Sequence, residues 1–180
     1  EDYHIPDEEL SQYGSRGSAI HAMIDQWIKT ASWDEDYINR RDLILLKTGS
    51  LRLYDTLPQI NFVGFMEEYG KDITFKEGEF LGYNSEHFYC GRPDRVGTYR
   101  KKKTIFDWKT GAMKDSFFRQ MAAYAKLDDP RLKGIEQMMV VPLNPNNKSG
   151  YGRPVVSTEI DKYFNLFLRD RKDYKEKFNV

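Results

Sequence analysis

Two stretches, Gly91-Arg92-Pro93-Asp94-Arg95-Val96 and Ile105-Phe106-Asp107-Trp108-Lys109-Thr110-Gly111, decide how this chain is read. Residues 87–99 read as one strand, 100–103 as a charged turn, and 104–109 as a second strand closed by Thr110-Gly111. A hairpin brings its two arms side by side, so Asp94 and Asp107 are expected on neighbouring strands. Lys109 stands two residues beyond Asp107, and strand residues two apart share a face. Two carboxylates and one ammonium group are thereby expected in one place.

Working outward, Ile73, Phe75, Glu77, Glu79 and Leu81 alternate with polar or mixed neighbours, which predicts a strand over 73–81. Residues 57–69 read as a helix with Pro58 in its first turn, although Gly64 weakens it. Residues 34–47 read as a further helix. Residues 18–32 form an amphipathic helix in which Ile20, Met23, Ile24, Trp27, Ile28 and Ala31 recur at helical spacing. The stretch 14–18 before it reads as a loop and N-cap. His21 lies at the border of that apolar face.

Downstream, residues 115–127 are expected as a helix with Phe117, Gln120, Tyr124 and Leu127 on one side. Residues 134–142 read as a buried strand, 144–153 as a polar loop, 155–160 as a short strand and 161–178 as a closing helix. The order is helices, three strands, helix, strand, strand, helix. It predicts an α/β fold with a mixed central sheet flanked by helices, in a single domain over 1–180. Residues 1–70 are its helical N-terminal part, 71–160 the sheet and the helix that follows the hairpin, and 161–180 the C-terminal helix.

With 180 residues, 39% of them hydrophobic and 14% aromatic, the chain can bury one core. No run of eighteen apolar residues predicts a membrane span. The polar, acidic opening does not resemble a signal peptide. The chain opens on Glu1 and not on Met, which points to residues upstream. The single cysteine, Cys90, excludes a disulfide framework and a four-cysteine zinc or iron–sulfur site within this chain, and reads as a half-buried strand residue. Net charge is zero, yet residues 91–119 carry nine basic and three acidic side chains, a local excess of six centred on the two aspartates. A positive surface around two acids suits a site that handles phosphate.

Hard divalent cations take oxygen ligands, and one or two carboxylates with a substrate phosphate suit Mg²⁺. Asp94 and Asp107 are candidates for such ligands, with the Trp108 carbonyl as a further oxygen. Lys109 would then face the same phosphate and stabilise developing charge or orient the attacking water.

Four blocks in order resemble the RecB-type exonuclease branch of the PD-(D/E)XK nuclease superfamily. Arg16-Gly17-Ser18-Ala19-Ile20-His21 resembles its first helix. Gly91 to Val96 and Ile105 to Gly111 resemble the blocks carrying the two acids and the lysine. Gln120-Met121-Ala122-Ala123-Tyr124 resembles its Q-x-x-x-Y helix. The blocks span about residues 14 to 127.

The resemblance implies a restriction-endonuclease-like core and divalent-metal-dependent DNA cleavage, exonucleolytic, with Mg²⁺ or Mn²⁺ held by His21, Asp94, Asp107 and the Trp108 carbonyl. It gives Lys109 the transition-state role. It sets Gln120 and Tyr124 near the lysine or the DNA backbone, where ordinary helix packing is the other reading. Glu79 or Glu77 would be the acid that often precedes the first aspartate, with Glu79 favoured. Members with an iron–sulfur cluster bind it through four cysteines, so this chain is expected to lack one.

Candidate DNA contacts are Arg16, Arg92, Arg95, Lys101, Lys102, Lys103 and Arg119. The run 100–103 reads as a DNA contact or as a solvated hairpin tip. Tyr83, Phe88 and Tyr89 read as core residues or base-stacking rings. The expected partners are DNA, single-stranded or with free ends, and a helicase or recombination protein, since the chain has no P-loop motif. No membrane partner is expected, and the location is the cytoplasm of a bacterial or phage-infected cell, or an organelle. The rival classes are a non-catalytic DNA-binding module that keeps the fold, and an assembly protein whose acids and lysine are solvated strand residues.

Overall fold

A five-stranded mixed sheet organises the chain, and its middle strand carries Asp107. The structure, a computed structural model, describes residues 7–31, 57–143 and 150–178. In chain order these form α1 (Asp7–Thr30), α2 (Leu57–Tyr69), β1 (Ile73–Glu77), β2 (Gly82–Asn84), β3 (Tyr89–Gly91), β4 (Arg95–Tyr99), β5 (Lys102–Lys109), α3 (Ser116–Ala125), β6 (Gln137–Pro142), β7 (Val155–Ser157) and α4 (Ile160–Phe178). The sheet runs β1-β4-β5-β6-β7, and β2-β3 form a separate two-stranded ribbon. The β1/β4, β4/β5 and β6/β7 pairs are antiparallel, while β5/β6 is parallel. A parallel pair needs a crossover, and α3 supplies it. The expected mixed α/β fold with a central sheet and flanking helices is what the chain adopts. Among the described residues no helix is long and apolar enough to cross a membrane.

The strand period of two sorts the side chains onto two faces. Phe106 and Trp108 of β5 pack with Ile20, Ile24, Phe62 and Phe65 from α1 and α2. Ile105, the residue before Phe106, packs on the opposite face with Phe118, Met121 and Ala122 of α3. Alternation puts Asp107 and Lys109 on this second face, beyond Ile105 and toward the α3 side. All six residues of β6 are buried, as expected of a strand paired and covered on both sides.

The β4–β5 connection is tighter than the charged turn over 100–103. Arg100 and Lys101 both adopt left-handed backbone, with φ of 49° and 68°, and Tyr99 already pairs with Lys102. That is the geometry of a two-residue hairpin turn, whose twist matches that of the flanking strands.

Several boundaries differ from the sequence reading. Helix α1 begins at Asp7, so residues 14–18 lie inside it and not in a loop. Glycine and serine weaken a helix interior by about 1 kcal/mol at most each, which does not forbid it. The strand over 87–99 is two strands, β3 and β4, separated at residues 92–94, where Pro93 has no amide to donate to a ladder. Strand β1 ends at Glu77 with a register shift between Phe75 and Glu77, so Glu79 lies past its end. Ribbon strand β2 went unread. Gly64, the weak point of α2, leaves room for Tyr151, whose ring would lie 2.8 Å from an added Cβ. The helix expected over 34–47 and residues 144–149 of the expected loop fall outside the described residues.

Candidate active site

Three separate segments meet where β5 ends. Helix α1 contributes His21, the segment before β4 contributes Asp94, and β5 contributes Asp107, the Trp108 carbonyl and Lys109. The imidazole Nδ1 of His21 lies 3.1 Å from Asp94 Oδ1. Its Nε2 lies 3.0 Å from the Trp108 carbonyl oxygen, which accepts from it. The Trp108 amide donates a long 3.4 Å bond to Asp94 Oδ2. Asp94 and Asp107 are close enough for their carboxyl groups to share a hydrogen bond. Lys109 Nζ stands 2.9 Å from Asp107 Oδ2, with its ammonium 4.8 Å from the centroid of the Phe117 ring. All five predicted groups are therefore neighbours, drawn from residues up to 88 positions apart.

Burial makes this cluster electrostatically strained. Asp107 is 4% exposed, and burial followed by the negative charge of Asp94 pushes its carboxyl up to about 7. Its Oδ2 is buried without an aligned hydrogen bond, although the ammonium of Lys109 is near enough to pair with it. Burial also works against the charge on Asp94, but the hydrogen bond and charge of His21 outweigh it and hold that carboxyl below its ordinary value. At His21 burial opposes protonation. The hydrogen bond and charge of Asp94, the charge of Asp107 and the Trp108 carbonyl outweigh it, so the imidazole is raised. Two oxygen acceptors on its two nitrogens favour the doubly protonated ring.

The donor chemistry fits a hard divalent cation. Two adjacent carboxylates repel, one of them has a buried oxygen met only by the Lys109 ammonium, and a peptide carbonyl and an imidazole stand beside them. Among the described residues no group of three His, Cys, Asp or Glu side chains is already arranged to hold a metal ion. His21 pairs with Asp94, and the Asp94 carboxyl is close enough to that of Asp107 to influence it. A proton on His21 and a cation on its nitrogen are mutually exclusive, because a ligand imidazole must be neutral.

The Q-x-x-x-Y pair flanks the cluster. Gln120 Nε2 donates to the Tyr124 hydroxyl at 2.9 Å. Burial, then the charges of Asp94 and Asp107, push the Tyr124 phenol up to about 12, so the ring is within electrostatic reach of both carboxylates. Gly91 lies under that ring, where an added Cβ would come within 2.6 Å of it. The buried face of α3 is Phe118, Met121, Ala122 and Ala123; Phe117 and Tyr124 are half-buried against the edge of the same core, and Gln120 is exposed beside them.

The candidate DNA contacts divide sharply. Arg92 is exposed beside Asp94 and pairs with Glu79 at 3.1 Å. Glu79 is thus an exposed partner of Arg92, and Glu77 is exposed as well. Arg95 is corrected: it is 3% exposed and its guanidinium pairs with Asp25, so it cannot reach DNA. Arg119 is held by Asp115 and Asp170, at 3.1 Å and 2.7 Å, which neutralise it. Lys101, Lys102 and Lys103 stand at the turn end of the hairpin. Five strand steps separate Lys102 from Asp107, about 17 Å. Lys103 Nζ donates to the Lys133 carbonyl. The Arg16 side chain falls outside the described residues.

Cys90 is exposed, not half-buried. Tyr83 and Phe88 are exposed as well, at 49% and 75%, whereas Tyr89 donates its hydroxyl to the Ala123 carbonyl. Phe117 under the lysine and Asp25 on Arg95 were not read from the sequence. The i, i+4 spacing of His21 and Asp25 on one helix face was the available signal for the second. No protein-family model and no curated protein sequence matches this chain.

Proposed function

We propose that this chain is a divalent-metal-dependent deoxyribonuclease that hydrolyses phosphodiester bonds. It acts as an exonuclease built on a restriction-endonuclease-like core, in keeping with the resemblance of its four blocks to RecB-type PD-(D/E)XK nucleases. The observation that carries the reading is the meeting of Asp94, Asp107, His21, the Trp108 carbonyl and Lys109 at one end of the sheet. Unrelated solvated residues would not be buried against one another in this way.

In this reading Asp94 and Asp107, with His21 and the Trp108 carbonyl, hold Mg²⁺ or Mn²⁺. The bound ion supplies Lewis-acid polarisation of the phosphate and lowers the pKa of the attacking water. Asp94 and Asp107 must both be ionised to hold it, so the proton that burial keeps on Asp107 has to leave first. His21 must likewise give up a proton. Lys109 places a positive charge beside Asp107, where it meets the charge that develops on the phosphate oxygens. Phe117 packs against that ammonium and limits the directions it can take. Gln120 and Tyr124 border the strand being cut and orient its backbone. DNA that is single-stranded or has free ends is the substrate, and any unwinding comes from a helicase or recombination partner.

Cleavage of end-labelled DNA with Mn²⁺ tests the reading on wild type, Asp107→Ala and Lys109→Ala. Loss of at least about 100-fold in both variants is expected, the scale of removing a group that stabilises transition-state charge. Equal activity in all three would sink the assignment.

A further inference from the structure

We propose that Asp25 and Arg95 form a positioning pair that seats helix α1 on the sheet, so that His21 meets Asp94 and the Trp108 carbonyl. Only the kinetic part of its test rests on the nuclease reading.

Helix α1 is attached to the sheet by apolar and polar contacts of different character. Ile20, Met23 and Ile24 are buried, but apolar packing is non-directional and specifies neither the register nor the roll of a helix well. Two polar contacts do. His21 and Asp25 lie one turn apart on the same face of α1, about 6 Å along its axis. They engage two consecutive residues of one segment, since His21 bonds Asp94 and Asp25 bonds the Arg95 guanidinium. One contact alone would leave the helix free to slide or roll. Two contacts on adjacent residues define both.

The surroundings are built around the pair. Arg95 is a charged side chain only 3% exposed, and its guanidinium also lies 5.9 Å from the centroid of Phe75. Asp25 is shared, with Lys29 at 2.5 Å on its other oxygen. Gly78 leaves the space the pair occupies, for an added Cβ there would meet Asp25 Oδ1 at 2.9 Å and Arg95 Nη1 at 3.5 Å. Arg95 therefore serves a buried, orienting role next to the site in place of a DNA contact. Groups that orient a metal-ligating histidine or carboxylate commonly change affinity or activity by about 10- to 100-fold when removed.

Removing Asp25 alone leaves a buried cation without a partner, and that variant is at risk of unfolding. The test therefore uses the double variant Asp25→Ala with Arg95→Met, because replacing both members of a buried pair by apolar groups is tolerated. Gly78→Ala is a milder companion that crowds the pair without removing either charge.

The first readout is ¹⁵N NMR of the imidazole rings at one fixed pH, simplified by the presence of only three histidines in the chain. Wild type is expected to show protected ring protons on His21. The folded double variant is expected to lose that protection, and Gly78→Ala to lose part of it. The second readout is DNA cleavage, with kcat falling about 10- to 100-fold in the double variant while KM moves little. A cooperatively folded double variant whose His21 ring signals match wild type overturns the proposal, whatever its activity. An inactive wild type would overturn the nuclease reading, and the ring measurement would still decide this one.

Discussion

The two ends of the β4–β5 hairpin are both rich in charged residues and have opposite physical character. At one end Asp94, Asp107 and Lys109 are 15%, 5% and 20% exposed at their side chains, and each shifts or neutralises its neighbours. At the other end Arg100 is 69% exposed and Lys101 and Lys102 are exposed. Arg100 pairs with Asp72 in water, where such a pair adds little. Composition differs as well, acids with a lysine against cations alone, but burial is what couples the first set. The run of four cations at 100–103 marks the turn, yet strong coupling occurs only where the low dielectric of the core amplifies it.

The most severe way to probe this contrast is to remove the buried acid. Asp107 is raised from its ordinary 3.8 to about 7, so the folded state holds a proton that the unfolded state releases. In that window folding takes up protons and stability falls as pH rises. Without divalent cation, Asp107→Asn should melt above wild type at pH 8, by up to roughly 4 kcal/mol. The gap should close toward pH 4. His21 adds to the same trend, because its raised imidazole stabilises the fold below 6.5 and loses that contribution as pH climbs through its folded value. Asp94 has the opposite sign, with a contribution present above 3.8 that is lost as pH falls. Thermal melts from pH 4 to 8 in a chelator measure all three. Mn²⁺ should then raise the wild-type melting temperature more at pH 8 than at pH 6 and leave Asp107→Asn unmoved. A variant less stable than wild type at pH 8 would break the contrast.

A smaller effect is expected at the border of the site. Tyr124→Phe keeps the ring over Gly91 and removes only the hydroxyl that accepts from Gln120. Single-turnover cleavage should slow by about tenfold or less, since one neutral hydrogen bond contributes on the order of 1 kcal/mol. A loss as large as that of Asp107→Ala would make Tyr124 part of the reacting set. The smallest effect belongs to the turn. Lys101→Ala with Lys102→Ala should leave kcat unchanged, and any weakening of DNA binding should vanish as salt is raised. A drop in kcat there would show that the two ends of the hairpin act together.

The hairpin, α2 and the crossover helix were legible because their signals are local. Apolar spacing, Pro58 and the Thr110-Gly111 stop act over a few residues. The break at Pro93 was legible in principle as well, since a proline cannot donate to a ladder. Strand β2 was not, because three residues carry too little period, and its partner β3 lies across a turn. The site was legible in its residue types. Asp94, Asp107, Lys109 and His21 were chosen by chemistry and order, and the fold sets them in contact. The cations were misjudged where one dimension hides the third, as with Arg95, which lies in the local basic excess and is spent on Asp25 inside the protein.

What the sequence by itself determined is the menu: a mixed α/β chain, two acids and a lysine carried by one hairpin and its approach, and a helix bearing His21. Tertiary structure alone decided which charges are buried and therefore coupled, and which helix residue holds α1 in place. It also decided which basic residues remain available to an anionic partner. Backbone pattern is set by interactions over a few residues. Electrostatic effect is set by distance and dielectric, and those exist only once α1, β4 and β5 have met.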